Sequence, residues 1–266
     1  MTTPRPFFLI TNDDGIEATG LQHLWQAVQS FADCAIVAPD NDQSGCGVAI
    51  TSARPLVVNQ VPWEGTTSAW RVNGTTVDCV KMGLSVLLNK RRPDLILSGV
   101  NRGSNAGRAI LSSGTVGGVI EGAMREIPGI AFSFFDFDFP PVGSVERSLR
   151  AIIQYFLNSH PPIGTFLNVT LPQDCQKGIK GFRMARQGRG YWTEKFDRRV
   201  HPEGVPYYWL GGQWSEHVEE PNSEVALLRE GYLTAVPIHV GEWTHRAFLD
   251  QHQELFKELH LAECPK

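Results

Sequence analysis

Over the first 170 residues of this chain, short and nearly all-apolar runs alternate with segments whose apolar residues recur at helical spacing. The runs are Phe7 to Thr11, Ala35 to Ala38, Leu95 to Ser98, Ile130 to Ser133 and Phe166 to Thr170. A strand that is apolar on both faces has no side to give to solvent, so each run predicts a strand covered above and below. Between them, Leu21, Leu24, Trp25, Val28 and Phe31 share one helical face, as do Val80, Leu84, Leu87 and Leu88. Val116, Val119, Ile120, Ala123 and Ile127 form a third such face, and Val145, Leu149, Ile152, Ile153 and Phe156 a fourth. This alternation predicts a parallel sheet with crossover helices: a doubly wound α/β core over residues 1–174.

From about residue 175 the alternation stops. Gly, Pro, Trp and Tyr become frequent, with short strand-like runs at Phe182 to Ala185 and Tyr207 to Leu210. The pattern predicts a β-rich extension over 175–266 that returns through Leu233 to Ile238 and closes with a helix from about Thr244 to Leu261. The extension has apolar residues without an obvious core of its own, so it is expected to pack on the main domain or on another subunit.

Composition narrows the function classes. A chain of 266 residues with 42% hydrophobic content can bury one sizeable core without covalent staples. Its net charge of -4 and pI near 6.1 provide no basic face for polymeric nucleic acid. The five cysteines form an odd set without C-x-x-C spacing, which argues against a disulfide framework and a thiolate zinc site. No apolar run approaches the about 20 residues of a membrane span. The opening residues lead into a strand without a signal-peptide pattern, and a cytoplasmic location is expected.

In open α/β sheets ligands bind beyond the carboxyl ends of the strands, and an unusual set of residues falls there. The first run is followed by Asn12-Asp13-Asp14-Gly15, the second by Asp40-Asn41-Asp42-Gln43-Ser44-Gly45, and the third by Gly99 to Gly107, with Asn101 and Asn105 between glycines. Adjacent carboxylates at the tip of a buried strand repel each other unless a cation or donors neutralise them. The carboxylates of Asp13 and Asp14, with the Ser44 hydroxyl and the Asn101 amide, suit one hard divalent ion, Mg²⁺ or Mn²⁺. Ser113-Gly114-Thr115 directly precedes a predicted helix, whose free N–H groups and dipole favour a phosphate. Each signal also has a plain reading: Asp-Asp-Gly as a turn, and Ser-Gly-Thr as an ordinary helix cap.

Thr-Asn-Asp-Asp-Gly-Ile at 11–16, Val-Ala-Pro-Asp with Gln-Ser-Gly within 37–45, and Asn-Gly-Thr-Thr-Val-Asp-Cys-Val at 73–80 resemble the SurE family of survival-protein 5'-nucleotidases. Ser-Gly-Val-Asn-Arg-Gly-Ser-Asn-Ala-Gly at 98–107 and Ser-Gly-Thr-Val at 113–116 extend the resemblance in family order. The resemblance implies a metal-dependent 5'-nucleotidase with a Rossmann-like doubly wound core, with further activity on 3'-nucleotides and short polyphosphate, built as a homodimer or homotetramer that exchanges C-terminal segments. It places the metal ligands on Asp13, Asp14, Ser44 and Asn101, with Asp13 and Asp14 catalytic, and the phosphate contacts on Asn105, Ser113, Gly114 and Thr115. The chain departs from the family pattern at Thr19, Ser112 and Gly117-Gly118, none of them a ligand position.

Other chemistries lack their marks. No Gly-x-Gly-x-x-Gly follows the first run and no Walker-type lysine loop occurs, which argues against dinucleotide and P-loop sites. The Asp-x-Asp-x-Thr pattern of aspartyl-phosphate enzymes is missing. A regulatory module that binds nucleotide without turning it over stays open; the aromatics between Tyr191 and Trp214 are expected to pack in a core or interface, with a base-stacking wall as the alternative.

Overall fold

A computed structural model describes residues 5–135, 140–143, 145–215, 217–241 and 244–257. The five predicted strands are present, each fitting or slightly outgrowing its apolar run: β1 (Phe7–Thr11), β2 (Asp33–Pro39), β5 (Leu95–Asn101), β6 (Gly129–Phe134) and β7 (Thr165–Leu171). Two strands that the apolar runs did not show, β3 (Val58–Val61) and β4 (Ser68–Val72), precede β5. The four predicted helices are α1 (Thr19–Val28), α2 (Thr76–Met82), α3 (Gly114–Met124) and α4 (Glu146–Ser159). The face expected to run from Val80 to Leu88 is not one regular helix, because α2 gives way to a turn of π-helix over Gly83–Leu87.

The sheet has nine strands in the order β3-β4-β2-β1-β5-β6-β7, continued by β11 (Leu233–His239) and β8 (Phe182–Met184). From β4 to β7 every pairing is parallel, and β3 and β11 are antiparallel additions at the two flanks. Leu233 to Ile238 thus returns to the main sheet beside β7, and the sheet draws its last two strands from beyond residue 174. Apolar layers cover both faces. Phe8, Ile10, Leu97 and Phe132 pack with residues of α1 and α4, while Leu9, Val37, Ile96 and Ala131 pack with those of α2 and α3.

The β-rich extension contains a hairpin, β9 (Tyr191–Val200) paired antiparallel with β10 (Pro206–Ser215), which includes the run Tyr207 to Leu210 and forms a separate two-stranded sheet. A short helix, α5 (Glu224–Arg229), which the sequence reading did not anticipate, precedes β11. The closing helix α6 spans Arg246–Lys257. Its expected continuation to Leu261, and Cys264, lie outside the described residues.

The motif at 73–80 has a structural explanation. Thr75 caps α2 by accepting from the Asp78 N–H at 3.1 Å, and Asp78 answers by accepting from the Thr75 N–H at 2.9 Å, a capping box. Asp78 also accepts from the Thr51 N–H at 3.1 Å, which ties the 46–51 loop to the helix start. Burial disfavours the Asp78 carboxylate, but the hydrogen bonds from Thr51 and Thr75 outweigh it and hold its pKa below the usual value.

Candidate active site

The direction of strand addition reverses between β1 and β5, since the chain builds outward through β2 and β4 on one side and through β6 and β7 on the other. Crossovers diverge at this switch point and leave a crevice at the carboxyl ends of the strands. Asp13 and Asp14 follow β1 after the single residue Asn12, and Asn101 is the last residue of β5. The reversal therefore places the two loops with the sharpest sequence signals side by side.

Asp13 is almost fully buried, at 2% exposure. The Thr115 hydroxyl donates to its Oδ1 at 2.6 Å, and the Asn105 amide donates to that same hydroxyl at 3.2 Å. A Cβ added at Gly114 would lie 2.9 Å from both Cβ and Oδ2 of Asp13, so the first residue of α3 must be glycine for the helix start to approach this carboxylate. The Gln43 N–H donates to the Asp13 carbonyl at 2.8 Å and brings the loop carrying Ser44 against the same residue. Asp14 accepts from the Arg102 N–H at 3.2 Å, which joins it to the loop carrying Asn101.

Asn101 is aimed by an irregularity in β5. The register with β6 shifts between Ser98 and Asn101, adding one residue opposite Ala131 to Ser133. Gly99 makes this possible at φ +121°, where a Cβ would stand 2.3 Å from the Phe132 carbonyl oxygen. The Asn101 amide nitrogen then donates to the Gly103 carbonyl at 2.8 Å, so its Oδ1 is the atom left to offer a cation. Ser44 is solvent-exposed, and its hydroxyl donates to Asp42 Oδ1 at 2.6 Å.

Burial pushes the Asp13 carboxyl above its usual pKa in spite of the Thr115 bond. Asp14 is pushed up to about 7, first by burial and then by the neighbouring Asp13 charge, with the Arg102 N–H pulling the other way. A bound cation reverses both directions, because it favours the ionised form of each carboxylate. Among the described residues no three His, Cys, Asp or Glu side chains converge as a ligand set. The available donors are two carboxylates, a hydroxyl and an amide oxygen, a set that fits a hard divalent ion and not zinc.

At the start of α3, Ser113 is the N-cap, its Oγ accepting from the Val116 N–H at 3.2 Å. The plain reading of Ser-Gly-Thr is thus part of its role: the cap takes the Val116 N–H and the Thr115 N–H bonds the Asp13 carboxyl, at a helix end whose dipole faces that acid. Asn105 and Thr115, expected as phosphate contacts, are engaged with each other and with Asp13.

Sequence reasoning passed over two residues. Asp42 is close enough for its charge to act on both Asp13 and Asp14, and it positions Ser44 through the hydroxyl and the backbone N–H, the latter at 2.8 Å. Its signal was present as an Asx turn, an acid two residues before the N–H that it binds. Arg102 supplies a backbone donor, which no side-chain pattern announces.

Comparison with known proteins identifies the family. The family model described as survival protein SurE matches residues 8–194. The chain belongs to the SurE family. It is 47% identical over 247 residues to a protein of Protochlamydia amoebophila named 5'-nucleotidase SurE, covering 92% of this chain and 94% of that one. A protein of the same name from Christiangramia forsetii is 36% identical over 256 residues, covering 94% and 97% of the two chains. The crystal structure of the SurE protein from Aquifex aeolicus superposes with a TM-score of 0.79 at 33% identity, covering 94% of this chain and all of that one. Within the SurE family resemblance, the departure at Gly117-Gly118 acquires a reason. A Cβ at Gly117 would lie 2.3 Å from the Gly47 carbonyl oxygen, and one at Gly118 would lie 2.9 Å from the Thr76 methyl. Here α3 packs on the 43–47 loop and on α2 too closely for any side chain.

Proposed function

We propose that this protein is a metal-dependent phosphomonoesterase that hydrolyses nucleoside 5'-monophosphates to nucleoside and phosphate, with 3'-monophosphates and short polyphosphate as secondary substrates. The observation that carries the reading is the buried Asp13 carboxylate beside Asp14, at a sheet switch point and against a capped helix N-terminus, in a chain whose relatives are named 5'-nucleotidases. Asp13, Asp14, Ser44 and Asn101 would hold one Mg²⁺ or Mn²⁺. When bound, such an ion neutralises phosphate charge and makes water more acidic. Asp13, fixed by Thr115 and Asn105, orients the attacking water and takes its proton. Ser113 and Gly114 at the opening of α3, with the Asn105 loop, hold the phosphoryl oxygens while the nucleoside leaves in line, its departing oxygen taking up a proton from solvent as the bond to phosphorus breaks.

We also assign the protein to a cytoplasmic homodimer or homotetramer. Phe196, Tyr208, Trp209 and Leu210 are exposed on the β9-β10 hairpin, and Phe248, Leu249 and Phe256 on α6. A groove of about 770 Å³ lined by Val48, Ile50, Leu111 and Met124 lies on the body of the fold. So much open apolar surface supports burial against other copies of the chain. Cys34, Cys46, Cys79 and Cys175 are free thiols, in keeping with a reducing compartment. No helix among the described residues is long and apolar enough to cross a membrane.

The test is phosphate release from a panel of 5'- and 3'-nucleoside monophosphates and tripolyphosphate, with Mg²⁺ or Mn²⁺, together with acid trapping of labelled enzyme. The reading expects the fastest release from 5'-nucleotides and no phosphoenzyme. A trapped acyl phosphate on Asp13 or Asp14 would replace the water route by a covalent one, and tight nucleotide binding without turnover would favour the regulatory module.

A further inference from the structure

Glu224, the first residue of α5, is wholly buried at 0% exposure, and no lysine, arginine or histidine pairs with it among the described residues. Its Oε1 accepts from the Gly107 N–H at 2.8 Å and from the Gly188 N–H at 3.2 Å, while Oε2 has no partner. A buried acid without a cation is costly, and α5 already has its cap in Ser223, which accepts from the Ala226 N–H at 3.2 Å. The acid is therefore not there to start the helix. What it holds is the loop that leaves Asn101 and Asn105 and leads to Ser113.

Other bonds converge on the same point. The Gln187 side chain donates to the Gly107 carbonyl at 2.9 Å, and the Arg108 N–H donates to the Gly190 carbonyl at 2.8 Å. A Cβ at Gly107 would stand 2.3 Å from that Gly190 oxygen. Ala106 packs on Val225 and Leu228 of α5, and Glu219 binds the N–H groups of Arg189 and Gly190 at 2.9 and 3.0 Å. Segment 106–108 is thus fastened to residues 187–190, which lead into β9, with Glu224 as the side chain common to both.

We propose that Glu224 is a positioning residue for the proposed phosphate site: its carboxyl oxygen clamps the midpoint of the 101–115 segment and couples the base of the hairpin to Asn105 and the start of α3. The inference rests on the hydrolase reading, so one of its tests is independent of turnover. Wild type, Glu224→Gln and Glu224→Ala are compared in the metal-free state by amide hydrogen exchange and with Mn²⁺ by 5'-nucleotide hydrolysis. Glutamine keeps an oxygen that accepts both N–H groups, and its exchange over 101–115 and its kcat are expected within about threefold of wild type. Alanine strands both donors, and exchange over 101–108 is expected to quicken at least tenfold, with kcat per folded molecule falling at least tenfold and KM moving less. Unchanged exchange in Glu224→Ala, or an equal loss of kcat in both variants, overturns the proposal. Absence of turnover in wild type sinks the hydrolase reading instead, and the exchange result still decides whether Glu224 holds the loop.

Discussion

Thr115 and Gly117 lie in the same first turn of α3 yet act on different loops. The Thr115 hydroxyl donates to Asp13 and accepts from Asn105, so Thr115→Val removes one bond to a carboxylate and leaves a buried amide N–H unpaired at nearly constant shape. A hydrogen bond to a charged group contributes roughly 1.5–3 kcal/mol, which predicts a fall in kcat/KM of roughly 10- to 150-fold with the fold retained, measurable by steady-state kinetics and circular dichroism. Gly117→Ala instead drives a methyl group into the Gly47 carbonyl, which only a shift of backbone relieves. A loss of about 1–3 kcal/mol is expected in chemical denaturation, together with weaker activity through displacement of the 43–47 loop. The place of Asp13 and Asp14 at the sheet edge was legible because they follow an all-apolar run that can only be a buried strand. The roles of Asn105 and Thr115 toward Asp13 were not, since a pairing across the sheet edge leaves no local trace.

At the scale of elements, the buried strands were legible because all-apolar runs have no other home, whereas β3 reads Val-Asn-Gln-Val and β4 Ser-Ala-Trp-Arg-Val, partly exposed strands with only half the pattern. α5 escaped notice because a helix of six residues is too short to display a period. Its buried acid nevertheless leaves a measurable signature. Burial pushes the Glu224 carboxyl from an ordinary 4.5 up to about 7, against the pull of the Gly107 and Gly188 N–H groups. Between these values the folded chain holds a proton that the unfolded chain has released, so stability is fullest below 4.5 and declines as pH rises through about 7. The decline assigned to this group is on the order of 3 kcal/mol. Glu224→Gln is expected to remove that portion of the slope in urea denaturation followed from pH 4.5 to 8. An identical slope in the variant would show that the acid is ionised in the fold throughout.

For the whole molecule, the nine-stranded sheet gathers every proposed ligand at one edge, while the hairpin and α6 carry apolar side chains into solvent. Light scattering is expected to find a dimer or tetramer, and Trp209→Glu with Leu210→Glu to lower the assembly state without unfolding the sheet; a monomeric wild type would contradict the assignment. The central claim concerns the Asp13-Asp14 pair, and it is tested most directly by phosphate release from a nucleoside 5'-monophosphate by wild type and by the Asp13→Asn, Asp14→Asn double variant, each with EDTA and with added Mn²⁺ or Mg²⁺. The account predicts that wild type is silent in EDTA and restored by the metal, and that the folded double variant is silent in both. Metal-independent hydrolysis, or full activity in the double variant, would contradict it.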